Sequence, residues 1–290
     1  MAFNLRIRMM LLVLLALAVA SGPLGLGQGQ GQGQDQPVVI ATSEVFGSLV
    51  RAIGADEVLV ITIIPAGFCP AHYDLRPSDF LYLSKAELVI YHGIEPWMDR
   101  LLANINPGAK VLQLRGEWNY PAPLAEKARA IAEEMEELWP EKAAAFQGRL
   151  DRFLADLEAL AGEIQARARE LELGKVPAIV MAWQEGFARW LGLNIVATYP
   201  PEERLTVRDL TELAARGREA QVKLVIDNLQ SGVSFGGRLA QAIGATHIVL
   251  TNFPGPLPGT VDMLSMLRVN AEIVFAAVEA LIAGQAVGAP

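Results

Sequence analysis

The chain has 290 residues, 52% of them hydrophobic and 19% charged, with a formal net charge of −8. That length suffices for two separate cores, and the acidic balance argues against a nucleic-acid partner, which needs a basic face. A single cysteine excludes an internal disulfide, and with only 3 histidines in the chain, one placed beside that cysteine is informative.

Arg6 and Arg8 precede an apolar run over residues 9–20 that ends Ala18-Val19-Ala20. A basic start, a short apolar stretch and small residues at its end read as an export signal cleaved after Ala20. The run is too short for a comfortable membrane span, and no cysteine stands nearby to take a lipid. Residues 21–36 carry Gly-Gln repeats with nothing apolar to bury and read as a linker. Export places the rest in an oxidising compartment, where an unpaired cysteine calls for an explanation.

The folded part is expected from about Pro37. A first strand at 38–41 leads into a helix over 45–53 closed by Gly54. A β-rich run at 58–64 follows, then a helix over 78–85 with Ser78 as N-cap and Asp79 in its first turn. Further expectations are a strand at 88–91, a helix at 97–102 and a strand at 110–114. Continuous apolar strands alternating with helices point to parallel sheets covered on both faces.

From 126 to 173 the pattern becomes helical, in two segments meeting at Pro140. In the second, over 141–171, Phe146, Leu150, Phe153, Leu157 and Ile164 fall on one stripe. At 1.5 Å per residue it would run about 45 Å, longer than one small domain needs, and it reads as a strut between lobes. The strand-helix alternation then resumes, with strands at 178–181, 194–197, 223–226 and 247–250 and a last helix over 261–282. Ile40 to Phe46 and Met181 to Phe187 share one pattern of strand, polar turn, Glu and aromatic; Leu88 to His92 similarly matches Leu224 to Asn228. The fold class is therefore α/β, two similar lobes with mostly parallel sheets joined by a single long helix, with a ligand cleft between the lobes. The expected divisions are a signal at 1–20, a linker at 21–36, a first lobe at 37–140, the connecting helix at 141–173 and a second lobe at 174–290.

The most informative segment is Cys69-Pro70-Ala71-His72. A thiolate and an imidazole three residues apart can close on one soft or borderline cation, and their loop runs from a strand into a helix, where α/β proteins carry ligand sites. Tyr73-Asp74-Leu75-Arg76-Pro77-Ser78-Asp79, the stretch Ala86 to Met98, Phe187 to Leu193, and Thr260 to Leu264 with Asn270 complete a pattern from about residue 37 to the C-terminus. On these residues the chain resembles the periplasmic solute-binding proteins of zinc/manganese-type ABC importers. The resemblance implies metal captured in the interlobe cleft and handed to an ABC permease with its ATPase. It puts the family's ligand positions at Ala71, near Tyr120, near Met181 and at Thr251 or Asn252, none of which has the family's residue type.

Two alternatives stay open at this point. In one, Cys69 and His72 rebuild the metal site, with Tyr120, Met181, Glu185, Asp227 or Asn228 completing the shell. Softness then favours zinc or a copper-like ion over manganese. Met181 equally suits a buried strand position, and Glu185 the first turn of a helix. In the other, the site takes a metal chelate or small organic solute, with Trp183, Trp118 and Tyr120 as stacking surfaces. His92 is assigned to structural hydrogen bonding, and His247, at a strand start, is not expected to be a ligand. A thiol hydrolase built on Cys69 is the enzyme alternative, but the sequence holds no nucleophile elbow or phosphate loop, so the expectation is a non-enzymatic, monomeric binding protein. An exported adhesin or metal chaperone on the same fold is a third class.

Overall fold

The computed structural model describes residues 36–103 and 105–287. The export segment and nearly all of the Gly/Gln linker lie outside the described residues. The first lobe runs β1 (Val38–Ala41), α1 (Glu44–Gly54), β2 (Leu59–Thr62), α2 (Pro77–Leu83), β3 (Leu88–Tyr91), α3 (Met98–Leu102) and β4 (Lys110–Gln113). Two long helices follow, α4 (Pro121–Leu138) and α5 (Ala143–Glu170). The second lobe runs β5 (Pro177–Met181), α6 (Glu185–Leu191), β6 (Asn194–Tyr199), α7 (Val207–Glu219), β7 (Leu224–Asn228), α8 (Ser234–Ile243) and β8 (Thr246–Leu250), before the last helix α9 (Met263–Val287).

Each lobe holds a four-stranded sheet with all neighbours parallel, ordered β2-β1-β3-β4 in the first and β6-β5-β7-β8 in the second. The same order in both lobes makes β1 the counterpart of β5 and β3 that of β7, the pairs whose sequences match. Alternate residues along a strand face opposite layers. Val39, Ala41, Leu88 and Ile90 join the core that faces the long helices. Ile40 and Val89 join a second cluster with Leu83, Trp97 and Leu101. The second lobe repeats this split: Ala178, Val180, Leu224 and Ile226 belong to the shared core, whereas Ile179, Met181 and Val225 pack with Leu213, Phe235 and Leu239.

The strut is a helix of 28 residues with Phe146, Leu150, Phe153, Leu157, Leu160, Ile164 and Ala168 buried along one stripe. These residues share one apolar cluster with strands of both lobes. A 3₁₀ turn at Pro140–Lys142 separates α5 from α4. α4 begins at Pro121, five residues before the expected start, because proline at the first helical position forfeits an N–H that has no helical partner. For the same reason α2 starts at Pro77, with Arg76 rather than Ser78 at the N-cap position. The Asp79 carboxylate accepts from the Arg76 backbone N–H at 2.7 Å and from the Tyr73 hydroxyl at 3.0 Å. α7 and α8, unplaced by the sequence reading, cover the outer face of the second sheet. Among the described residues no helix is long and apolar enough to cross a membrane.

Candidate functional site

Both sheets present their C-terminal strand ends to the same seam, the usual place for a ligand in open α/β sheets. Cys69 sits before the 3₁₀ turn Pro70–His72, whose first backbone hydrogen bond runs from His72 N–H to Cys69 O at 3.0 Å. The indole of Trp97 anchors this turn by donating to Pro70 O at 2.9 Å. Just upstream, the loop reaches the second lobe. Gly255, at φ 102°, comes so close that a Cβ there would stand 2.5 Å from the Ala66 Cβ. Burial pushes the Cys69 thiol up, against hydrogen bonds from the backbone of Ala71 and His72, and the charges of Glu203 from the second lobe and Glu95 from the first push it further. Cys69 is half-buried and its neighbour His72 is exposed.

Behind this rim lies a buried cluster of carboxamides. Asn119, after β4, crosses the seam: its Nδ2 donates to Trp183 O and to Asn252 Oδ1, both at 2.9 Å. Gln184, after β5, donates to the same Asn252 Oδ1 at 2.8 Å and to Asn228 Oδ1 at 3.1 Å. The Asn252 amide donates to Trp183 O at 3.1 Å, and its backbone N–H to Gln230 Oε1 at 3.2 Å. All four of Asn119, Gln184, Asn228 and Asn252 are buried. Beside them the imidazole of His92 lies 4.1 Å from the Phe46 ring and 4.3 Å from that of Trp118. His92 Nε2 is 2.7 Å from Ser43 Oγ, which diverts that hydroxyl from capping α1. Burial, with the Lys127 charge adding, pushes the His92 pKa down to about 3, so the ring is neutral. Glu95 closes the first-lobe side by accepting from the Thr42 hydroxyl at 2.7 Å and from the backbone of His92, Gly93 and Ile94.

The other residues singled out in the sequence are spread over separate environments. Tyr120 precedes α4 and donates from its hydroxyl to Glu117 Oε2 at 2.8 Å. Met181 ends β5 fully buried, its sulfur accepting from Trp183 N–H at 3.1 Å. Glu185 opens α6 and pairs with Arg189 at 2.5 Å. Asp227 faces the outer layer of the second lobe, where Tyr199 donates to it at 2.6 Å and His247 Nε2 lies 2.7 Å away. Burial pushes the Asp227 carboxyl up, although both hydrogen bonds oppose the shift. Trp183 is exposed beside the seam. Among the described residues no three or more of His, Cys, Asp and Glu gather as a group that could hold a metal ion. Asn119 and Gln184 carry only a weak sequence signal, a polar residue just past an apolar strand or at a helix start, on the seam side of each sheet.

The model of the periplasmic zinc-uptake complex component A, ZnuA, matches residues 39–277. The chain belongs to this family. Among curated relatives, it is 24% identical over 156 residues to the manganese ABC transporter substrate-binding lipoprotein scaA of Streptococcus gordonii, which covers 44% of this chain and 50% of that protein. It is 30% identical over 74 residues to the metal ABC transporter substrate-binding lipoprotein SsaB of Streptococcus sanguinis, 23% of this chain and 24% of that one. The chain thus spans half or less of the length of these relatives. The fold is shared over much more: a crystal structure of ZnuA matches with TM-score 0.72 and 24% identity, over 84% of this chain and 100% of that one. A manganese-bound periplasmic metal-binding protein from Candidatus Liberibacter asiaticus matches with TM-score 0.75 and 15% identity, over 83% and 99%.

Proposed function

We propose that this protein is the extracytoplasmic substrate-binding component of an ABC importer, a monomer that captures a transition-metal ion at the interlobe seam and passes it to a permease and its ATPase. Membership of the zinc-uptake family and the names of the metal-transporter relatives support the class of cargo. The observation that carries the reading for this chain is the rim: Cys69 and His72 bracket one turn of a loop that reaches the second lobe, with Glu203 of that lobe near enough to act on the thiol. A thiolate and an imidazole favour zinc, or a copper-like ion, over manganese. The export reading of residues 1–20 belongs to the same proposal, as does a non-enzymatic role: the half-buried thiol has no histidine base in hydrogen-bond contact among the bonds of the described residues.

Elemental mass spectrometry of the purified protein, followed by zinc titration, tests this. A transition metal should co-purify or bind. Since loss of even an outer-sphere partner weakens metal sites tenfold or more, Cys69→Ser should weaken zinc by at least about tenfold. Absence of any bound metal sinks the reading, and undiminished affinity in Cys69→Ser removes the thiolate from it. Zinc should also protect Cys69 from iodoacetamide; metal-independent hyper-reactivity would favour a nucleophile instead.

A second reading, a metal chelate or small organic solute, is favoured by one observation. The buried heart of the seam offers carboxamides, with the exposed Trp183 ring beside them.

A further inference from the structure

The side chains that cross the buried part of the seam are uncharged, the Glu95 carboxylate being held on the first-lobe side by Thr42 and the backbone of His92 to Ile94. Asn119 Nδ2 has two hydrogens and directs them at Trp183 O and Asn252 Oδ1, with Gln184 Oε1 a longer third contact at 3.5 Å. Gln184 Nε2 likewise spends its two on Asn228 Oδ1 and Asn252 Oδ1. Asn252 Oδ1 therefore receives one hydrogen from each side of the seam. Trp118 adds a further crossing bond, from its indole Nε1 to Asn252 O at 2.7 Å. No side-chain atom of these residues is among the buried groups left without a partner. The amide hydrogens that Asn119 and Gln184 direct into the seam thus all meet protein acceptors.

A buried cluster of carboxylates or imidazoles behaves differently. Carboxylates held together in a dry site repel until one takes up a proton or a cation sits between them, and neutral imidazoles present lone pairs that a cation can take. Carboxamides have the shape of carboxylates but supply their own donors, so they can close on one another with no cation present. Around them, the His92 imidazole is packed between Phe46 and Trp118, with Phe253 edge-on at 6.1 Å. The rim carrying Cys69 stands outside this cluster.

We propose that Asn119, Gln184 and Asn252 form a charge-free interlobe latch, which holds the lobes closed without cargo and denies a bare cation the buried centre of the seam. Cargo is then taken at the rim, and Gln184 and Asn252 act as specificity-determining residues through what they refuse. The latch stands on its own geometry, whereas capture at the rim rests on the reading of Cys69 and His72 proposed above.

Small-angle X-ray scattering of the full chain tests the closed state. The radius of gyration should be the same in EDTA and in excess zinc, and should increase in Asn119→Ala. A wild-type chain that is larger in EDTA than in zinc overturns the latch. The exclusion is tested by gain of function with manganese, a hard cation that suits oxygen ligands better than a thiolate does. The melting temperature of the wild type should not respond to manganese. The double variant Gln184→Glu with Asn252→Asp should melt lower in EDTA and recover when manganese is added. A double variant that folds but ignores manganese overturns the exclusion. Should the double variant not fold, single Asn252→Asp, with one carboxylate facing Gln184, supplies the same readout. Failure of the cargo reading would show separately, as loss of zinc binding in the titration of the wild type, with the scattering result unaffected.

Discussion

The Trp118 indole donates to the backbone carbonyl of Asn252 at 2.7 Å, joining residues 134 apart in sequence. Trp118→Phe keeps a ring against His92 and Phe253 but removes the donor. The carbonyl of Asn252 is then left short of a partner in a largely water-free place, at a cost of about 1–2 kcal/mol. Urea unfolding should show a lower midpoint with an unchanged slope; an unchanged midpoint would mean that water replaces the indole without loss.

Acid should weaken the fold through His92. Its folded-state pKa is about 3 against an ordinary 6.5. Between those values the unfolded chain binds a proton that the folded chain refuses. The stability this group permits is therefore complete above pH 6.5 and is lost as pH falls from 6.5 toward 3. The slope from one such group is at most about 1.4 kcal/mol per pH unit. Unfolding free energies measured from pH 7 to pH 4 in the wild type and in His92→Gln should diverge, with the variant showing the flatter profile. Parallel profiles would remove His92 as the cause.

Gly236 lies against the Asp227–Tyr199 pair. A methyl group there would stand 2.6 Å from the Tyr199 hydroxyl and would collide with the Asp227 carboxylate. Both groups are fixed by their mutual hydrogen bond, so neither can swing away cheaply. Gly236→Ala should destabilise by about 1–3 kcal/mol through overpacking, read as a lower melting temperature in calorimetry. A melting temperature equal to the wild type's would show that α8 shifts freely.

Thr206 caps α7 reciprocally: its hydroxyl accepts from Asp209 N–H at 3.3 Å, and the Asp209 carboxylate accepts from Thr206 N–H at 2.7 Å. Thr206→Ala should cost about 1 kcal/mol, whereas Thr206→Ser should restore most of it. Equal losses in both variants would assign the effect to the missing methyl group instead.

The lobes were legible because apolar strands such as Leu88 to Tyr91 are short and buried on both faces, and because the Phe146 to Ile164 stripe keeps helical spacing over a length no single lobe requires. The repeat could be read because counterpart strands end in the same grammar of polar turn and helix. Helix starts slipped where a proline took the first helical position, as at Pro77 and Pro121. The carboxamide cluster was legible only in part, through Asn228 and the family position at Asn252: Asn119, Gln184 and Asn252 are distant in sequence and of a residue type common in loops. Only the closure of the chain reveals that they share acceptors. Asp227 could be placed at a strand end but not on a face, and its partners Tyr199 and His247 come from β6 and β8, the two opposite edge strands of the second sheet.

The stripe on α5 has a consequence for cooperativity. Because Phe146 to Ala168 belong to one apolar cluster with Val39 and Leu88 on one side and Val180 and Ile226 on the other, neither sheet owns its inner layer. A lobe expressed alone would expose half of that layer to water. Melting should accordingly proceed as a single transition, with calorimetric and van't Hoff enthalpies in agreement, and the chain should behave thermodynamically as one folding unit even though it has the outline of two.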